Sequence, residues 1–144
     1  MWGVVDARTG SGGHIAVRIG DYIEGRNVVP SLGFKRRWAG KVRDGVKRHT
    51  FRKERKRPIK VGDKLIMFCG MRTKNCERLG THICTVVLPG RLDANGNMSV
   101  DGRWLSGPEV EAFAVADGFT GRGEFRDWFE KQYGLPFDGV VLYW

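Results

Sequence analysis

The apolar residues of this chain come in short runs, and run length is what most constrains its fold. Lys64–Gly70 (KLIMFCG), Thr81–Leu88 (THICTVVL) and Phe137–Trp144 (FDGVVLYW) are seven or eight residues long, and turn residues lie beside them. Runs of that length, rich in β-branched and aromatic residues, read as strands and are far too short to cross a bilayer as helices. His14–Ile19 (HIAVRI) alternates as a further strand would, whereas Met1–Gly13 ends glycine-rich and is expected to be mobile. Turn signals punctuate the rest. Val61-Gly62-Asp63 opens the first run, Asn95-Gly96 marks a hairpin and Asp101-Gly102 a second turn.

Helical spacing appears in three places. Phe34, Trp38 and Val42 recur on one face, with Lys35, Arg36, Arg37, Lys41 and Arg43 between them, and Asp44-Gly45 closes the segment. Ser106 with Glu109 three positions on forms a capping box for a helix to about Ala116, which Asp117-Gly118 breaks. Glu124–Tyr133 places Phe125, Trp128, Phe129 and Tyr133 along a last helix that Gly134 and Pro136 stop. Strands and helices are thus segregated, so the expected class is α+β, with the sheet curling into a small β-barrel to hide its edges and the helices flanking it. At 144 residues the chain has the size of one domain.

Charge is the second strong feature. The formal net charge is +9, and Lys47, Arg48, Arg52, Lys53, Arg55, Lys56, Arg57 and Lys60 stand together with only Glu54 to offset them. Such an excess points to a polyanionic partner, RNA first and DNA second. Arg36 and Arg37 before this stretch, and Arg72 and Lys74 after it, extend the basic set. The three cysteines, Cys69, Cys76 and Cys84, are odd in number and lack framework spacing; they read as buried free thiols. No paired ligand spacing suggests a metal, and no cofactor is implied. With no signal segment or apolar span, the expectation is a cytoplasmic protein, with no membrane partner and monomeric.

At Gly45–Arg52 the chain reads G-V-K-R-H-T-F-R, and this resembles the G-x-K-x-x-T-x-R signature of the ASCH family. Gly62-Asp63 is similar to the family's strand-opening GD. Gly70–Gly80 resembles a loop of a phage and bacterial subgroup, and Ala116–Phe119 (ADGF) with the segments after it resembles the family's C-terminal half. The resemblance spans Ser31–Trp144, leaving residues 1–30 as an N-terminal extension, partly mobile or adding a strand. It implies a PUA-like fold and binding of RNA or modified bases in a basic cleft lined by Arg36, Arg37, Lys47, Arg48, Arg52, Lys53, Arg55, Lys56, Arg57, Arg72 and Lys74.

The family's N4-acetylcytidine amidohydrolases use a lysine, a threonine and a later glutamate. Carried over, these fall on Lys47, Thr50 and Asp117 as candidate catalytic residues. Aspartate is a departure, shorter by one methylene where reach matters at about 1 Å. The resemblance therefore implies a nucleic-acid-binding domain that, if an enzyme, is a hydrolase of the amidohydrolase or ribonuclease kind. A reader of modified DNA bases and a non-catalytic protein-interaction module are the alternatives. His49 lies at a variable position of the signature, and His14 and His82 are isolated in sequence. Trp104 reads equally as core or as a base-stacking residue.

Overall fold

The computed structural model describes residues 21–24 and 27–144, with side chains from Val29 onward. Met1–Gly13 and the alternating segment His14–Ile19 lie outside the described residues. The described chain is α+β, and it divides into two compact units. One comprises the described residues up to Val46 together with Arg57–Val86 and Trp144; the other comprises Lys47–Lys56 and Val87–Tyr143.

The first unit is built on a four-stranded sheet, in the order β1 (Asp21–Glu24), β2 (Asn27–Phe34), β4 (Lys64–Cys69), β5 (Glu77–Ile83). Strand β2 runs through position 30, where the sequence suggested a boundary, and pairs in parallel with β4 from Ser31↔Ile66 to Phe34↔Cys69. Strand β4 is apolar without alternation because it lies between two strands and is covered on both faces: Leu65, Ile66 and Met67 are completely buried. Each such side chain contributes roughly 1.5–3 kcal/mol of burial. Phe34 belongs to the β2 ladder and not to the helix that its spacing suggested. Helix α1 therefore covers Arg36–Arg43, burying Trp38, Ala39 and Val42 and leaving Lys41 and Arg43 in its last turn, where cations suit the helix dipole.

The second unit carries a five-stranded sheet, in the order β3 (His49–Arg52), β9 (Phe137–Tyr143), β6 (Val86–Leu92), β7 (Met98–Val100), β8 (Arg103–Trp104), with helices α2 (Gly107–Ala116) and α3 (Arg122–Tyr133). The capping box forms as read: Glu109 N–H donates to Ser106 Oγ at 3.3 Å, and Ser106 N–H to Glu109 Oε1 at 2.8 Å. The turn at Asn95-Gly96 joins β6 to β7, with Gly96 at φ 84° and Asp93 Oδ1 accepting from the Asn95 and Asn97 amides. Aromatic rings fill the core. Phe51 stands 5.1 Å from both Phe129 and Phe137, and Phe125 is 5.0 Å from Phe129.

The strands form two hydrogen-bonded sheets, with no closed barrel among the described residues. The cause shows at Cys84. Thr81–Leu88 reads as one strand, but Cys84 is drawn into the turn before β4, accepting from Gly62 N–H and donating to the Asp63 carbonyl, each at 2.8 Å. The β5 ladder ends there, and Val86 starts a strand of the other sheet. Cys69 and Cys84 are buried free thiols, whereas Cys76 is exposed, because the loop after Gly70 turns back at Thr73 and leaves it outside the sheet core. Among the described residues no helix is long and apolar enough to cross a membrane.

Candidate functional site

Gly45, at φ 77°, reverses the chain after α1 in a conformation that side chains with a Cβ resist. Lys47 and β3 follow. The Lys47 side chain is 3% exposed, and its Nζ donates to Asp117 Oδ1 at 2.5 Å and to the Asp117 carbonyl at 2.7 Å. Asp117 caps the C-terminus of α2, where its own N–H bonds to the Phe113 carbonyl. Helix α2 has no basic residue in its last turn. Lys47 supplies from a distant part of the chain the cation that this negative helix end favours. One ammonium thus satisfies both a buried carboxylate and a terminal carbonyl.

Burial pushes the Asp117 carboxyl up to about 6, while the Lys47 charge and hydrogen bond, and then the Arg52 charge, pull it back. Thr50 is buried and its Oγ1 accepts from Arg52 Nε at 3.1 Å. The Arg52 guanidinium is partly buried. Desolvation lowers it to about 10, against the Tyr133 and Asp117 charges, which raise it. Lys47 with Asp117, and Thr50 with Arg52, are therefore two directly bonded pairs, and the field of Asp117 reaches the second. The shorter side chain of aspartate spans the gap to Lys47.

His49 is the residue that sequence reasoning undervalued. It is buried, its Nε2 lies 3.4 Å from Asp117 Oδ1, and its ring lies 4.4 Å from Phe113 and 5.3 Å from Tyr143, its partner across the β3–β9 ladder. Desolvation, then the Lys47 charge, hold it down at about 4, against a hydrogen bond to the Phe113 backbone, so it is neutral at pH 7. Tyr143 is raised by burial and by the Asp117 charge. The signal that could have found His49 is strand parity: it shares a face with Phe51, which packs into the aromatic core of α3.

The other basic candidates occupy both units. Arg48, Lys53 and Lys56 are exposed in the second, with Arg55 half-buried. Lys47 presents no surface charge to a phosphate, because it is buried against Asp117; this corrects its place among surface contacts. Arg36, Arg37, Arg57, Arg72 and Lys74 are exposed in the first unit. Of these, Arg36 bonds to Glu77 Oε1 at 3.0 Å and Arg37 stacks 5.0 Å from the Trp38 ring. Arg43 also bonds to Glu77, whose carboxyl is lowered by both arginines. Trp104 is 53% exposed on β8, so it is not core. Among the described residues no group of three or more His, Cys, Asp and Glu side chains is arranged to hold a metal ion. No family model matches this chain, and no curated protein or solved structure matches it.

Proposed function

We propose that the chain is an ASCH-type domain of PUA-like architecture that engages RNA and hydrolyses an acyl amide on a modified nucleoside, with Lys47, Thr50 and Asp117 as its reacting set. The observation that carries the reading is the buried 2.5 Å contact between Lys47 Nζ and Asp117 Oδ1, contributed by the signature lysine and the residue that ends α2. A lysine acts as a base only as the free amine. Burial raises the Asp117 carboxyl to about 6 and so brings within reach a neutral pair in which Asp117 holds the shared proton, and the reaction proceeds from that minor state.

From that state the chemistry balances. Thr50 Oγ attacks the acyl carbon of an N4-acetylcytidine-type substrate while its proton passes to the Lys47 amine. The tetrahedral intermediate expels the exocyclic amine as the C–N bond breaks, and the Lys47 ammonium returns the proton to it. Water then adds to the Thr50 ester, with Lys47 taking and returning a proton, and acetic acid leaves. Arg52 Nε, already bonded to Thr50 Oγ1, holds that oxygen and stabilises the charge it develops. The exposed Arg48, Lys53 and Lys56 beside this set suit a phosphate backbone.

The test incubates the purified protein with N4-acetylcytidine, single-stranded RNA and DNA, reading products and binding together. The reading expects cytidine and acetate from the nucleoside and binding that prefers RNA. Binding without any product overturns the hydrolase and leaves a binding module. Cleaved RNA with an intact acetyl group makes the protein a ribonuclease, and preferential DNA binding makes it a reader of DNA.

A further inference from the structure

Tyr133 has no part in the reacting set, and its setting differs from that of the other aromatic side chains on its face of α3. Phe125, Phe129 and Tyr133 recur every fourth residue along one stripe of the helix. The first two are fully buried, whereas Tyr133 is 48% exposed at the helix end. Its ring is held in place all the same. It stacks on Phe137 at 4.5 Å with 18° between the planes, and on Phe129 at 5.9 Å and 29°. Phe129 and Phe137 are only 5.3 Å apart, closer than Phe129 is to Tyr133, so both lie to one side of the tyrosine and do not sandwich it. The stack therefore ends in an exposed ring whose far face these two phenylalanines leave uncovered.

Cations stand beside this ring. Phe137, which carries the stack, packs where β9 passes closest to β3: a Cβ on Gly139 would meet the Arg52 carbonyl oxygen at 2.3 Å and Phe137 Cε2 at 2.9 Å. Tyr133 is close enough to Arg52 for the charge of its phenolate form to act on the guanidinium. Lys53 and Lys56 follow Arg52 in the chain and are exposed. Glu130, one turn back on α3, is already paired with Arg126 at 3.0 Å. Lys131 and Gln132, next to Tyr133 in sequence, are exposed and polar, so these neighbours build no apolar patch of the kind a protein partner would cover. A rigid, exposed ring among cations suits a planar base and its attached phosphate, and every base has a π-face to offer it.

We infer that Tyr133 is a stacking platform for a nucleobase of single-stranded RNA, with the far face of its ring taking the base and the cations after Arg52 taking the phosphates. The inference deepens the RNA-binding reading and rests on it, and it requires no reaction at Lys47 or Thr50.

The decisive measurement is NMR on the 13C-tyrosine-labelled protein titrated with a single-stranded cytidine oligoribonucleotide. The chain has three tyrosines, and the signal lost in Tyr133→Phe assigns the one in question. The expected result is an upfield shift of the Tyr133 ring protons, caused by the ring current of the stacked base. Ring protons that stay in place at saturation overturn the inference. Affinity supplies the second arm. Tyr133→Leu, shown to be folded by its urea transition, should bind the oligonucleotide about five- to a hundredfold more weakly, and Tyr133→Phe, which keeps the ring, should recover most of the loss. Wild-type affinity in a folded Tyr133→Leu overturns the inference. So does a loss in Tyr133→Phe equal to that in Tyr133→Leu, which would assign the contact to the hydroxyl. If the wild-type protein binds no RNA, the RNA-binding reading fails, and the same resonances in a titration with N4-acetylcytidine decide the platform: an upfield shift keeps it as a nucleoside site, and no shift removes it.

Discussion

Burial sets the charges on Asp117 and His49 in opposite senses, and the pH dependence of stability follows residue by residue. Asp117 titrates at about 6 in the folded chain against 3.8 ordinarily. Between those values the folded state binds its proton more tightly, and stability is lost as pH rises. His49 titrates at about 4 against 6.5. Here the unfolded state binds the proton more tightly, and stability is gained as pH rises through the same window. The two slopes oppose each other, since folding in effect moves a proton from histidine to aspartate. Wild-type stability should therefore vary little from pH 4.5 to 6 through this pair. His49→Phe removes one slope, so its stability should fall with rising pH, and Asp117→Asn removes the other, so its stability should climb. Each slope is at most ~1.4 kcal/mol per pH unit. Urea denaturation of the three proteins across that range checks the signs. Only part of this was readable in the sequence. The signature marks Lys47, Thr50 and Arg52, and the ADGF segment marks Asp117. No local pattern brings His49 to Asp117, because that contact is made by a strand and a helix end far apart in the chain.

At the scale of elements, β3 can carry the signature only if its neighbours leave room for it. Gly90 on β6 is one such place: a Cβ there would meet Phe51 Cε1 at 2.9 Å and Val141 Cγ2 at 3.2 Å. Gly90→Ala should accordingly cost about 1–3 kcal/mol by overpacking. A lowered urea midpoint with unchanged m-value is the expected result, and an unchanged midpoint would mean that the β3–β9–β6 packing yields easily. Helix α2 was legible to its boundaries, because Ser106, Glu109 and Asp117-Gly118 are local signals that operate within one helix. Strand pairing was not legible. The parallel β2–β4 ladder and the break at Cys84 depend on contacts that no run of residues records, and a continuous β-branched stretch looks the same whether or not a turn draws one residue away.

At the scale of the whole molecule, the chain carries a charge of +9, and among the described residues most basic side chains are exposed, with Lys47 withdrawn from them into the site. If about four to six phosphates are neutralised on binding, the log–log salt slope for single-stranded RNA should be roughly −3 to −4. Replacing Lys53 and Lys56 by alanine should flatten it, and a slope unchanged by that double substitution would remove those residues from the interface. The hydroxyl of Thr50 is where the proposed binding surface and the proposed reacting set separate. Thr50→Val deletes the hydroxyl with little change of volume, whereas Lys47→Ala also strands a buried carboxylate and costs stability. The direct test is therefore kcat/KM for acetate release from N4-acetylcytidine by the wild-type protein and by Thr50→Val, with RNA affinity measured on both. The account predicts that the variant loses about a hundredfold or more in turnover and keeps its RNA affinity; acetate release by Thr50→Val at the wild-type rate would contradict it.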